Sequence, residues 1–188
     1  MRLFHLSDLH IGKRVNEFSM IEDQKYILER ILDLAEKEMP DGVILAGDIY
    51  DKQIPSAEAV QVFDEFITKL AERKFPVFVI SGNHDSAERL AFGGRLLNSR
   101  GIYLSPVYDG TVMKIPIADQ YGTVWIHLLP FIRPAAVRRV FEDESDLITD
   151  VQSAVRAVIS HMEIDTNERN ILRGAPVCYR SVPMRIGG

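Results

Sequence analysis

The apolar positions of this chain change period several times. Residues 2–7 read as a first strand, and residues 16–38 then carry Met20, Ile21, Ile27, Leu28, Ile31, Leu32 and Ala35 at helical spacing. Pro40-Asp41-Gly42 marks a turn, and Val43-Ile44-Leu45-Ala46 is a short apolar run that reads as a buried strand. A helix follows Pro55, with Ser56 as its N-cap and Glu58 in its first turn. Val77-Phe78-Val79-Ile80 is a third strand, and residues 87–97 read as another helix. Strand and helix alternating in this way predict parallel strands joined by right-handed crossovers.

From Gly101 the pattern shortens. Residues 102–104, 111–115 and 123–129 read as brief strands between Pro and Gly turns, where antiparallel pairing is expected. Helices are predicted over 134–141 and 147–162, and Asn170-Ile171-Leu172 begins a further strand. Beyond Leu172 there is no acidic residue, no helical period and no alternation.

Composition narrows the setting. A length of 188 residues fits one domain, or one domain and a fragment. The single cysteine, Cys178, excludes an internal disulfide framework and has no visible partner. No apolar run reaches membrane-spanning length, and Met1-Arg2-Leu3-Phe4 opens a strand, so a cytoplasmic location is the default expectation and no membrane partner is expected. The net charge of −5 does not suggest a general nucleic-acid binder, although carboxylates gathered for a metal would add negative charge.

The candidate chemistry lies where the first three strands end. Asp8-Leu9-His10, then Gly47-Asp48 with Asp51, then Gly82-Asn83-His84-Asp85 follow the three strands in turn. Asp-x-His on an extended segment would project both ligands to one side. Carboxylate, imidazole and amide oxygen form a mixed N/O set suited to Mn²⁺, Fe²⁺ or Zn²⁺ more than to Ca²⁺. A carboxylate such as Asp48 can bridge two cations. His84 is the candidate general acid, or a positive charge facing the departing oxygen, with Asp51 as the natural group to fix its tautomer. Asp85 is expected behind the ligands, holding the turn. Each residue taken singly has a plainer reading: a turn cap for Asp8, an Asx-turn for Asp48, a solvated charge for Asp51. Their recurrence at the same place in three strand–loop–helix units favours the shared site. His5 and His127 read as packing residues, His161 as a surface residue, and Arg138 and Arg139 as a solvated helix face.

These three motifs, in this order and about 35–40 residues apart, resemble the calcineurin-like metallophosphoesterases. The run His5–Gly12, the Glu22-Asp23-Gln24 after it, Ile49-Tyr50-Asp51 and Leu129-Pro130-Phe131-Ile132-Arg133-Pro134 are similar to the SbcD-type nuclease subunits within that superfamily. The resemblance covers about residues 1–172 as a nuclease domain, with 173–188 as a non-family tail. It implies an α/β fold in which a β-sandwich of mixed sheets is flanked by helices (α/β/β/α), incomplete at the C-terminus. It implies Mn²⁺-dependent phosphodiester hydrolysis of DNA, exonucleolytic and endonucleolytic, in repair and recombination. The partners implied are DNA, an SMC-like ATPase subunit of the SbcC type and a second nuclease subunit in a homodimer. Of two divalent ions, one would take Asp8, His10 and Asp48, and the other Asp48 and Asn83. His84 would act on the leaving group, steadied by Asp51.

The sequence departs from that pattern after Leu172. The family continues there with Val-Ala-His-Gln-Phe-Val-Thr-Gly, whose His is a ligand, and later with Gly-His-x-His. Neither is present. Yet residues 173–180 can be encoded so that reading one base later gives Val-Ala-His-Gln-Phe-Val-Thr-Gly. A one-base frameshift near Leu172 is the expectation that follows, a genuine alternative C-terminus its rival. The metal site would be incomplete, and activity of this form doubtful. Two other functional readings stay open: a small-molecule phosphodiesterase or protein phosphatase of the same superfamily, and a non-catalytic product that binds DNA or a partner subunit.

Overall fold

The computed structural model describes residues 1–174. In chain order the elements are β1 (Leu3–Leu6), the ribbon β2 (Arg14–Val15) and β3 (Phe18–Ser19), α1 (Ile21–Glu38), β4 (Gly42–Ala46), α2 (Ala57–Glu72) and β5 (Val77–Ile80). Two single-turn helices follow, α3 (Ala87–Leu90) and α4 (Gly94–Leu97), then β6 (Ile102–Leu104), β7 (Met113–Asp119) and β8 (Gly122–Leu129). Helices α5 (Pro134–Val140) and α6 (Val151–Ser160) lead to β9 (Arg169–Gly174).

The first sheet has the order β1-β4-β5-β6, with all neighbours parallel. That order never reverses. Crossovers of one hand therefore stack all their helices on one face. Leu28 and Leu32 of α1, Phe63 and Phe66 of α2 and Leu90 of α3 pack there on Val43, Leu45, Val77 and Val79. The opposite face is left for the second sheet, β7-β8-β9. Ile44, Ala46, Phe78 and Ile80 meet Ile115, Val124, Ile126 and Leu128 in a sandwich core. Helices α5 and α6 cover the outer face of the second sheet through Val137, Ala154 and Val158 around Leu129. The layers are thus α/β/β/α, as the resemblance implied.

Alternation of side chains sets this division. In β4 and β5 successive residues point to opposite faces, and both faces are covered, which is why these strands read as unbroken apolar runs. In the second sheet β7 pairs antiparallel with β8, but β9 pairs parallel with it. At its far end Arg169 forks onto Asp119 at 2.7 and 2.8 Å, and the Met1 amino group reaches the same carboxylate at 3.1 Å. The Asp119 carboxyl is held far below the usual range, chiefly by the Arg169 hydrogen bonds.

Several elements differ from the sequence reading. Residues 14–19 form a ribbon in place of the first helical turn. Its corner residues Asn16 and Glu17 both have positive φ (47° and 69°), as a two-residue hairpin requires. The segment 87–97 is two short helices, split where Gly93 takes φ 75°. Ile102–Leu104 joins the parallel sheet beside β5, not the antiparallel set. The helix over 147–162 begins only after Asp150, whose carboxylate and Ser153 form a capping box. His5, read as a core residue, is exposed on edge strand β1. Cys178 and the tail from Ala175 onward lie outside the described residues. Among the described residues no helix is long and apolar enough to cross a membrane.

Candidate metal centre

The three loops that leave β1, β4 and β5 at their C-terminal ends are stitched to one another through the backbone. Asp8 N–H donates to Gly47 O at 3.2 Å, His10 N–H to Asp48 O at 2.9 Å and Ile11 N–H to Ile49 O at 2.9 Å. Asp51 N–H returns a bond to Ile11 O at 3.2 Å. The third loop lies against the second so closely that a Cβ on Gly82 would collide with the backbone and carboxylate of Asp48. Only glycine fits there.

Asp8 (φ 57°), His10 (φ 44°) and Asp48 (φ 49°) all adopt the left-handed conformation. Each such residue costs about 1 kcal/mol or more. The pairing of Asp8 with His10 therefore does not come from an extended segment with alternating side chains, as the sequence suggested. It comes from a strained loop held by bonds to its neighbour. The result is a cluster: one ligand atom from each of Asp8, His10 and Asp48 lies within 4.8 Å of the others. His10 Nε2 is 3.9 Å from Asp8 Oδ1 and 3.9 Å from Asp48 Oδ2. Two carboxylates so near one imidazole nitrogen, with no Lys or Arg ion pair to either among the described residues, form a set that a divalent cation would satisfy.

Asp51 lies beside both histidines, in a way the motif does not reveal. Its carboxylate Oδ1 approaches His10 Nδ1 to 3.6 Å, beyond hydrogen-bond length, while His10 Nε2 faces Asp8 and Asp48. Its backbone carbonyl, not its carboxylate, meets His84 Nδ1 at 3.1 Å. A carbonyl only accepts, so His84 Nδ1 carries the proton and Nε2 is the exchangeable position. Asp51 thus meets His84 through its main chain. The two imidazoles meet edge to face, 4.8 Å between ring centres. The His84 N–H donates to Asp48 Oδ1 at 3.0 Å, leaving Oδ2 for the cluster. Asn83 stands one residue earlier on that loop, and its side chain makes no hydrogen bond among the described residues.

Asp85 lies behind this surface, 6% exposed. Its carboxylate accepts from Ile49 N–H at 3.1 Å, Tyr50 N–H at 2.9 Å and Gly82 N–H at 2.8 Å. Burial raises its pKa, against the lowering effect of those three donors. It fastens the β4 and β5 loops together. Gln24, in the Glu22-Asp23-Gln24 run, has a comparable task. It accepts from Gly12 N–H at 2.9 Å and donates to Leu9 O at 3.1 Å and His10 O at 2.8 Å, clamping the first loop. The one signal for it was a polar residue in the first turn of an amphipathic helix. His127 is a structural residue, 2% exposed and 2.8 Å from Asn170 Oδ1. Arg138 is fixed on Ile148 O at 2.7 Å, away from the site.

A parallel sheet backed by a second sheet, with Asp, His and Asp gathered at its C-terminal edge beside a second histidine, is a metallophosphoesterase arrangement. The profile of the calcineurin-like phosphoesterases matches residues 1–181, and the chain belongs to that family. Within it, the chain is 36% identical over 177 residues to the SbcD component of the SbcCD nuclease of Staphylococcus epidermidis. It is 33% identical over 177 residues to the SbcD component of the same nuclease from Staphylococcus saprophyticus. Each alignment takes in 93% of this chain and 46% of the relative, so the chain spans less than half the length of these curated relatives.

Proposed function

We propose that this chain carries the catalytic face of a metal-dependent DNA phosphodiesterase of the SbcD type, built to work with an SbcC-type ATPase subunit and a second copy of itself. The observation that carries the reading is the Asp8–His10–Asp48 cluster with His84 at its edge. The similarity to two SbcCD nuclease components supports DNA as the substrate class. Two divalent ions are proposed, with Mn²⁺ favoured by the mixed N/O donors.

Asp8, His10 and Asp48 would hold one ion, and Asp48 with Asn83 the other. Such ions neutralise phosphate oxygens and lower the pKa of a bound water. The Asp51 carboxylate, on the Nδ1 side of His10, would favour the tautomer that leaves Nε2 free for ligation. His84 Nδ1 is committed to the Asp51 carbonyl, so in the imidazolium form, with both ring nitrogens protonated, Nε2 would give its proton to the departing oxygen. Asp85 and Gln24 hold the loops in register.

The resemblance places further metal histidines after Leu172, but the sequence has none beyond His161. We propose that a frameshift near Leu172 accounts for this. The chain as given should then bind Mn²⁺ weakly and act slowly, since a misplacement of about 1 Å can cost about 10²-fold in rate. The test is Mn²⁺-dependent cleavage of linear duplex DNA beside hydrolysis of bis(p-nitrophenyl) phosphate. The chain with the frame restored from Arg173 should exceed the present one by about 10²-fold or more on DNA, and Asp48→Asn should abolish both activities. Cleavage of the small ester without cleavage of DNA by the restored chain would refute DNA as substrate.

A further inference from the structure

The loop from Asp8 to Gly12 is held from two sides. On one side the β4 loop takes its N–H groups: Asp8 on Gly47 O, His10 on Asp48 O and Ile11 on Ile49 O. On the other side stands one side chain, Gln24 in the first turn of α1. Its Oε1 accepts from Gly12 N–H at 2.9 Å, and its Nε2 donates to Leu9 O at 3.1 Å and to His10 O at 2.8 Å. Gly12 N–H and Leu9 O have no other hydrogen-bond partner among the described residues. The loop needs one acceptor and two donors on that side, and a glutamine amide supplies all three.

The bond to His10 O has the furthest consequence. Asp8 and His10 are left-handed, at φ 57° and 44°. Such residues persist only where their surroundings over-determine them. His10 N–H is fixed on Asp48 O, and its carbonyl accepts from Gln24 Nε2 and from Lys13 N–H at 3.0 Å. The peptide groups on both sides of His10 are thereby set, and with them the direction of its Cβ. That direction brings Nε2 to 3.9 Å from both Asp8 Oδ1 and Asp48 Oδ2. The clamp rests on a fixed support, because Leu28 and Leu32 further along α1 are buried in the core on the first sheet.

We propose that Gln24 is a positioning residue of the metal centre. From α1 it holds His10 in the left-handed backbone that turns its imidazole toward Asp8 and Asp48. It acts through the main chain of the first loop, not on a ligand atom. The assignment rests on the metal-centre reading of the Asp8–His10–Asp48 cluster and deepens it.

The test is Mn²⁺ titration of the full chain and its variants, read by the EPR signal of the free ion, with denaturant unfolding alongside. Gln24→Glu keeps the acceptor for Gly12 but sets an oxygen against two carbonyl oxygens. Gln24→Met keeps the length of the side chain and loses all three bonds. Both should weaken Mn²⁺ binding about tenfold or more. The sign for Gln24→Glu is decisive, because a bystander carboxylate near the cluster would attract the cation and tighten binding. Asp119→Asn, which loosens Arg169 at the far end of the sandwich, should lower stability and leave Mn²⁺ affinity within about twofold. Unchanged or tighter binding by Gln24→Glu, or an equal loss in Asp119→Asn, overturns the assignment. Amide exchange in EDTA reads the clamp without metal: His10 and Ile11 N–H should exchange about tenfold faster in Gln24→Met. Absence of Mn²⁺ binding by the wild type overturns the metal reading. Faster exchange then leaves the loop clamp standing, and equal exchange removes it.

Discussion

The loops at the ends of β1, β4 and β5 and the end of β9 treat their buried polar groups differently. At the three loops the backbone donors of Ile49, Tyr50 and Gly82 all terminate on Asp85, and Gln24 satisfies both Gly12 and His10. Among the described residues, His10 Nδ1 and Ser81 Oγ are left without a hydrogen-bond partner there. At the end of β9, Arg173 pairs in register with Leu128, whose side chain lies in the sandwich core. Ile171, two residues earlier on the same face, packs into that core, whereas the Arg173 Nε is buried with no partner among the described residues. The first region is wired for a task. The second has a charged residue where strand alternation calls for an apolar one, and the frameshift proposal supplies a valine at that position.

Breaking the first region should have the larger effects. Asp51→Ala removes the carboxylate from His10 but leaves the backbone carbonyl on His84. It should cost about 10–100-fold in Mn²⁺ affinity, read by calorimetry, while the pH dependence of the rate stays in place. A shifted pH profile would return the His84-orienting role to the carboxylate. Asp85→Asn keeps the shape but turns one acceptor into a donor, stranding at least one backbone N–H. Denaturant unfolding should show a loss of about 1–3 kcal/mol. In the second region the sign reverses. Arg173→Val should raise stability by about 1 kcal/mol, because it removes an unpaired buried group from the sandwich. A loss of stability in that variant would mean that Arg173 has a partner the strand register does not reveal.

Much of this was legible from residues. The β-branched runs of β4 and β5, Gly47 and Gly82 at close turns, and three ligand-bearing strand ends pointed to the first sheet and the cluster. The reading failed where long-range contacts decide. Asn16 and Glu17 turn a ribbon because they accept positive φ, which a helical apolar spacing hides. Ile102–Leu104 is too short to reveal its partner, and β5 claims it in parallel. The Asp-x-His geometry was attributed to strand alternation, but both residues are left-handed. The split role of Asp51, carboxylate to one histidine and carbonyl to the other, depends on how two loops meet, and no local pattern encodes that.

The central claim is that Asp8, His10 and Asp48 form a metal site. Calorimetric titration with Mn²⁺ of the chain and of its Asp48→Asn variant tests it most directly. The account predicts weak binding by the chain and none by the variant. No Mn²⁺ binding by the chain, or binding indifferent to Asp48→Asn, would contradict it.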